Sequence, residues 1–297
     1  MFYKFKKKLN LWYFNSFTMG IREKAHVTLD KEANFAIATM LCNTDINMYL
    51  LSVASFCRFI KPSRIVVVSD RLSEENCNIL RKCVEGIEIV PVEEYREPSL
   101  PVGGCWERLT YITQQVEDIY TVQLDADILT LQQPDEVINA INSNTSFSLT
   151  TKLGFEKMSF VNASYLIWER QNKHVQNEAE KSFKDCANAE NRKYLRACAG
   201  FAGYAKKSYL IDTVIDFSSE IEEKIGREKW SEWGSEQVTS NYIIANTPDS
   251  VILPYETYPF YEPGIDESDI KVLHFIGTHR FKKGRYLSLA RKFIDSL

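Results

Sequence analysis

Several familiar signatures are missing from this chain. No Gly-x-Gly-x-x-Gly follows its first candidate strand, and no Gly-x-x-x-x-Gly-Lys-Ser/Thr or Gly-x-Ser-x-Gly occurs anywhere in its 297 residues. Those absences argue against a dinucleotide fold, a P-loop and an α/β-hydrolase nucleophile. The seven cysteines are odd in number, scattered, and never spaced Cys-x-x-Cys. That pattern suits reduced core thiols in a cytosolic protein better than a disulfide framework or a zinc site. No stretch approaches the roughly 20 apolar residues of a membrane span. A net charge of −4 gives no reason to expect a nucleic-acid partner. The 44% hydrophobic and 26% charged content is that of an ordinary globular protein.

The charge is unevenly spread. Lys4, Lys6, Lys7, Lys8, Arg22 and Lys24 face a single acid in the first 24 residues, and Arg280, Lys282, Lys283, Arg285, Arg291 and Lys292 face a single acid in the last 19. The middle of the chain is therefore strongly acidic. In the N-terminal segment the lysines alternate with Phe2, Tyr3, Phe5, Leu9, Leu11, Trp12, Tyr13, Phe14 and Phe17. Three readings are open: a signal peptide broken by Asn10, Asn15 and Ser16, a peripheral contact of residues 1–18 with an anionic membrane, or a locally packed tail.

From about residue 33 the pattern becomes regular. Asn34–Cys42 reads as a strand and Asn43-Thr44-Asp45 as a turn. Ile46–Ile60 carries a helical apolar stripe, and Ile65–Val68 reads as a buried parallel strand. Ser73 is placed to cap a helix running to about Val84, Gly86 to stop it, and Ile87–Val92 to form a third strand. After a loop holding Pro98, Pro101, Gly103 and Gly104, Trp106–Val116 reads as a helix, Tyr120–Leu129 as a strand, and Pro134 as the opening of a short helix. This βαβαβαβα alternation predicts a mostly parallel sheet with right-handed crossovers.

The second half is less regular. Ser146–Thr151, Ala163–Trp168, Ala197–Tyr204, Ser250–Pro254 and Ile270–Phe275 read as strands, some of them antiparallel, and the polar stretch 171–192 as a loop or exposed helix. Lys207–Ile225, Glu236–Ala245 and the C-terminal stretch through Leu297 read as helices. Trp230 and Trp233 could line a groove by stacking or belong to the core. One composite domain is expected over 33–297, in two halves, 33–128 and 129–297, preceded by a 1–32 tail.

Within Tyr120–Leu129 lies Asp125-Ala126-Asp127. In an extended strand Asp125 and Asp127 point to one side and Ala126 away. Two carboxylates that close repel unless a cation lies between them. In a parallel sheet, ligands bind outside the carboxyl ends of strands, and Asn43, Asp70 and the Asp-x-Asp pair all stand at such ends.

Far downstream stands His274-Phe275-Ile276-Gly277-Thr278-His279-Arg280. With the Asp-x-Asp, it resembles the pairing in GT-A fold nucleotide-sugar glycosyltransferases, most like glycosyltransferase family eight, which carries His-x-x-Gly-x-x-Lys there. The likeness extends along the chain from about Ala33. It implies a GT-A α/β fold with a smaller antiparallel acceptor-side region, 33–128 being the nucleotide-binding half and 129–297 the sugar and acceptor half with the C-terminal phosphate loop. By the resemblance, Asp125, Asp127 and His274 are metal ligands, Gly277 gives close backbone approach to the donor diphosphate, and Arg280 is its cation. Arg108 of Trp106-Glu107-Arg108-Leu109 contacts the donor. Ala126, Cys42, Asn43 and Gly200 also line it. Ser235-Glu236-Gln237 matches an Asp-Gln pair whose acid binds sugar hydroxyls and whose Gln lies beside the reacting carbon, so Glu236 and Gln237 are the candidate catalytic residues. Cys198 stands where the family has Asn, and the 42–44 loop lacks the family's acid.

The reaction so implied moves a hexose-type sugar from a nucleoside-diphosphate donor, UDP-sugar by default, to a glycan or other hydroxyl acceptor, with retention of configuration. Mn²⁺, or Mg²⁺, is the expected cofactor, because an imidazole among oxygen ligands favours Mn²⁺. A carbohydrate or lipid-linked glycan is the expected acceptor, and the expected location is the cytoplasm or the inner face of a membrane. Three alternatives stand beside this one: an inverting transferase with Glu236 as base, a sugar-phosphate nucleotidyltransferase, and a GT-A scaffold with a decayed site.

Overall fold

A computed structural model describes residues 2–207 and 210–297 of the chain. Their main sheet is mostly parallel and is flanked by helices. The chain forms two compact units built from discontinuous segments: the first from the stretch ending at Pro91 with Leu124–Ile138 and Glu256–Leu297, the second from Val92–Gln123 and Asn139–Tyr255.

In the first unit, strand Phe35–Cys42 pairs parallel with Arg64–Asp70, in a register running from Ala36 opposite Arg64 to Cys42 opposite Asp70. Arg64–Asp70 pairs parallel in turn with Glu88–Pro91. Ile65, Val66, Val67 and Val68 are wholly buried, as a strand covered on both faces requires. Helix Ile46–Cys57 is buried along its whole length. Helix Glu74–Cys83 is capped by Ser73, whose hydroxyl accepts the Asn76 N–H at 3.3 Å. The chain leaves that helix through Gly86 at a φ of 62°. Helix Arg285–Asp295 turns Tyr286, Leu289, Ala290, Phe293 and Ile294 inward. The N-terminal residues also form helices, Phe2–Phe17 and Ile21–Lys24, with Phe14 and Ile21 buried in this unit. No helix among the described residues is long and apolar enough to cross a membrane.

In the second unit, Phe147–Leu149 pairs parallel with Val251–Leu253 and antiparallel with Cys198–Tyr204. A further small antiparallel pair joins Met158–Ser159 to Lys193–Tyr194. Helix Ile211–Ile225 occupies most of the expected 207–225 helix; positions 208 and 209 of that stretch lie outside the described residues. Helix Ser235–Asn246 begins one residue before the expected 236.

Three expectations need correction. Ala163–Trp168 is not a strand but most of helix Phe160–Ile167 and its C-cap. Its buried residues Phe160, Ala163, Ser164 and Ile167 are spaced i, i+3, i+4 and i+7, a helical face that a short apolar run conceals. Ser159 caps it by accepting the Asn162 N–H at 3.2 Å.

The polar 171–192 stretch holds helix Val175–Ser182, which is not an exposed one, since Gln176, Asn177 and Glu180 are buried. Some partners are local, as where Gln176 Nε2 donates to Glu180 Oε1 at 2.9 Å, and others lie beyond the stretch: the Tyr194 hydroxyl donates to Glu180 Oε1 at 2.9 Å, and Arg196 pairs with Glu180 and donates to Asn177 Oδ1 at 3.0 Å. Paired polar groups of this kind can be buried at little net cost.

The Asp-x-Asp segment is not extended. The strand ends at Leu124, and Asp125–Ile128 is a turn closed by the Ile128 N–H donating to the Asp125 carbonyl at 3.3 Å. A new strand, Ile128–Thr130, starts immediately after it.

Candidate metal and donor site

The turn at Asp125–Asp127 is fastened from several sides within the first unit. The Thr39 hydroxyl donates to the Leu124 carbonyl at 2.7 Å. Ser52 and Ser55 lie three apart on one face of helix Ile46–Cys57. The Ser52 hydroxyl donates to the Asp125 carbonyl at 2.8 Å, and Ser55 Oγ accepts the Thr130 N–H at 3.1 Å. One helix thus clamps the turn and the strand after it.

Strand pairing brings in the distant histidine. Val272–His274 runs antiparallel to Ile128–Thr130, with His274 opposite Ile128. One residue further on, the Phe275 N–H donates to the Asp127 carbonyl at 2.9 Å. Two segments 147 residues apart therefore present Asp127 and His274 side by side, with His274 Nε2 at 3.2 Å from Asp127 Oδ1. The His274 ring also packs edge-on against Phe260, 5.7 Å between centroids.

Asp125, Asp127 and His274 offer ligand atoms that all lie within 4.8 Å of one another. Asp127 and His274 are buried. Arg280 reaches the same place: its guanidinium is paired with Asp127 Oδ2, and its Nε donates to the Phe275 carbonyl at 2.9 Å. Burial by itself would raise the Asp127 carboxyl, but the charges of His274 and Arg280 outweigh it and hold the group well below the usual carboxylate range. Burial likewise opposes the charge on Arg280, but Asp127, with Tyr286 and Asp45, more than restores it, so its pKa is raised. Tyr286, wholly buried beside them, is raised by burial and then by Asp127. Its hydroxyl donates to the Ala126 carbonyl at 3.5 Å.

This donor set fits a hard divalent cation. It has two carboxylates and an imidazole converging on one point, with one carboxylate held ionised. Oxygen-rich ligation suits Mg²⁺ or Mn²⁺, and the imidazole favours Mn²⁺. Gly277 stands at a φ of 57° with no atom within 4 Å of where a Cβ would be, so its backbone is open to approach.

Two expected donor residues, Cys42 and Asn43, lie in the same unit but in other contacts. Asn43 braces the next loop: its Nδ2 donates to the Arg71 carbonyl at 2.8 Å, and its Oδ1 accepts the Ser73 N–H at 2.7 Å. Cys42 Sγ lies 3.2 Å from Thr44 Oγ1, and burial pushes its thiol up.

The second unit gathers the other expected residues around the start of helix Ser235–Asn246. Arg108 and Glu236 form a buried pair at 3.3 Å. Gln237 Oε1 accepts the Ala199 N–H at 3.3 Å, and its Nε2 donates to Gln176 Oε1 at 3.3 Å. Gly200 follows in the same buried strand. The Trp106 indole N–H donates to Ser235 Oγ at 2.9 Å. Trp230 is core, not groove: it is wholly buried, and its indole N–H donates to Ser218 Oγ at 2.8 Å. Trp233 is exposed, and its ring meets His174 edge-on at 6.1 Å. Sequence reasoning missed Ser52, Ser55, Tyr286 and Gln176. A pair of serines on an apolar helix was the only visible hint of the clamp.

Comparison with solved structures places the fold. The chain superposes on galactosyltransferase LgtC in complex with donor and acceptor sugar analogs with a TM-score of 0.54 and 13% identity, over 88% of this chain and 96% of that one. An active-site glutamine-to-glutamate variant of LgtC gives 0.52 and 9%, over 87% and 95%. No family sequence model and no curated sequence matches. At these identities the likeness shows the fold, which is the GT-A fold of glycosyltransferases.

Proposed function

We propose that this chain is a metal-dependent glycosyltransferase that takes a hexose-type sugar from a nucleoside-diphosphate donor, UDP-sugar first among candidates, and delivers it to a hydroxyl of a glycan. The observation that carries this reading is the convergence of Asp125, Asp127 and His274, with Arg280 beside them, on a GT-A fold.

Breaking the bond from the anomeric carbon to a diphosphate builds negative charge on the leaving oxygens. Asp125, Asp127 and His274 would hold a divalent ion, which would supply charge to neutralise it. Arg280 adds a planar fork suited to phosphate, and Gly277 an unobstructed backbone. Placed at the developing charge, one such donor contributes on the order of 10²–10³ in turnover.

In the second unit, Arg108, Glu236 and Gln237 take the roles that the family pattern gives them: Arg108 toward the donor, Glu236 on sugar hydroxyls, Gln237 beside the reacting carbon. The buried pairing of Glu236 with Arg108 supports a binding role over a general base, and so supports retention over inversion. Gln237 is held at both ends of its amide by Ala199 and Gln176, which suits a group that must be oriented.

The test is incubation with a panel of nucleotide sugars and Mn²⁺, followed by assay of released nucleoside diphosphate and NMR of the product's anomeric configuration. Release from one donor with an α-linked product from an α-donor is expected. A β-linked product would overturn retention. Pyrophosphate release from a nucleoside triphosphate would make the chain a nucleotidyltransferase, and no release from any donor would leave a scaffold.

A further inference from the structure

We infer that the outer face of helix Phe2–Phe17 docks on an anionic lipid bilayer. The sequence leaves a signal peptide, a packed tail and a membrane contact all open for this segment. The burial pattern bears on this choice, because one face of the helix is packed and the other is exposed.

Its inner face is fastened to the first unit. Phe14 is 1% exposed, and its ring centroid lies 4.5 Å from that of Tyr286 and 5.7 Å from that of Phe281. Asn47 Nδ2 donates to the Asn15 carbonyl at 3.0 Å, and Asn15 Nδ2 to the Thr44 carbonyl at 3.0 Å. Thr18 is wholly buried just past the helix.

The opposite face carries Leu9, Trp12, Tyr13 and Phe17, at spacings of i, i+3, i+4 and i+8 that share one side of a helix. They are 51%, 66%, 49% and 49% exposed. The Tyr13 and Phe17 rings lie 4.5 Å apart, so the stripe is continuous. Isolated exposed apolar residues need no explanation, but four large ones along one helix face mark a binding surface.

Charge selects the partner. Residues 2–17 contain four lysines, and the first acid of the chain is Glu23. Lys6 and Lys8 are exposed. A second copy of this helix would bring like charges together, whereas anionic headgroups complement them. Trp, Tyr and Phe beside Lys is the composition of a helix lying in the interface, with its apolar residues at the headgroup boundary. The inner contacts then tie the docked helix to the candidate site. Tyr286, which packs against Phe14 at a tilt, also stacks on Phe275 at 4.1 Å and donates to the Ala126 carbonyl.

The test is flotation of the full chain with vesicles of phosphatidylcholine alone, or of phosphatidylcholine with phosphatidylglycerol. It reads lipid binding alone, so its outcome is separate from that of sugar transfer. Binding to the anionic vesicles only, weakened by salt, is expected. Lys6→Gln and Lys8→Gln should each weaken it about fivefold, and Trp12→Ser with Phe17→Ser by about tenfold or more. These side chains face solvent, so circular dichroism and melting should be unchanged. The inference is overturned if the chain does not float with anionic vesicles, or if the variants bind as well as the wild type. It is equally overturned if sedimentation shows a dimer that Trp12→Ser dissociates, because the face would then be a self-interface.

Discussion

The guanidinium of Arg280 lies on the carboxylate of Asp127, the same carboxylate that meets His274. Arg280 therefore occupies a group that a metal would also use. Removing it should have opposite effects on the two ligands. Arg280→Ala should bind Mn²⁺ about tenfold more tightly without nucleotide, since a charge-assisted bond of about 1.5–3 kcal/mol no longer competes. Its turnover should fall by about 10²–10³, since the phosphate cation is gone. Mn²⁺ titration by electron paramagnetic resonance, set beside steady-state kinetics, checks both arms. Unchanged Mn²⁺ affinity would show that the arginine and the metal do not share Asp127.

Ser52 reaches the site through its hydroxyl, which donates to the Asp125 carbonyl. Ser52→Ala should cost about 1 kcal/mol of stability. It should also weaken Mn²⁺ binding about fivefold, with little change in acceptor KM, because the turn loses one of its fasteners. Calorimetric Mn²⁺ titration measures this. A variant that is destabilised yet binds Mn²⁺ normally would make Ser52 a core residue without a positioning role.

Arg108 and Glu236 are both almost fully buried. Breaking one side of such a pair typically costs about 3–5 kcal/mol, whereas replacing both sides with apolar residues costs far less. Arg108→Met alone should lose stability in that range in urea unfolding. Arg108→Met with Glu236→Leu should recover most of it while remaining inactive. Additive losses would show that the two do not act as a pair.

The two tryptophans should separate in the same way. Trp230→Ala should cost about 3–5 kcal/mol, as an emptied core site does. Trp233→Ala should stay within about 0.5 kcal/mol of the wild type, as exposed substitutions do. If Trp233 meets the acceptor, its loss raises acceptor KM and leaves donor hydrolysis unchanged. Kinetics with both substrates tests this, and an unaltered acceptor KM would exclude the contact.

The first half of the fold was legible because its signals are local. Ser73 caps, Gly86 turns, and the Ile65–Val68 run reads as a buried strand without reference to anything distant. The second half was less so. Glu180 is buried because Tyr194 and Arg196 reach it, and neither partner is visible from within the 171–192 stretch. The short apolar run near Ala163 fits both periods, and only packing against Phe183 and Phe217 shows which side of Phe160 is inside. At the site, motif points to Asp125, Asp127 and His274, but alternation along a strand does not account for their convergence. It comes from a turn clamped by Ser52 and from strand register at Ile128 and His274, not from alternation along one strand. Arg280 was expected as a phosphate cation, and its pairing with Asp127 could not be read from spacing.

The central claim is that Asp125, Asp127 and His274 hold the ion on which donor cleavage depends. The most direct measurement compares wild type with Asp127→Asn, recording Mn²⁺ binding and Mn²⁺-dependent release of nucleoside diphosphate on the same folded samples. Loss of both in the variant, and loss of release in the wild type after chelation, is the predicted result. Full release by Asp127→Asn, or by the chelated wild type, would contradict it.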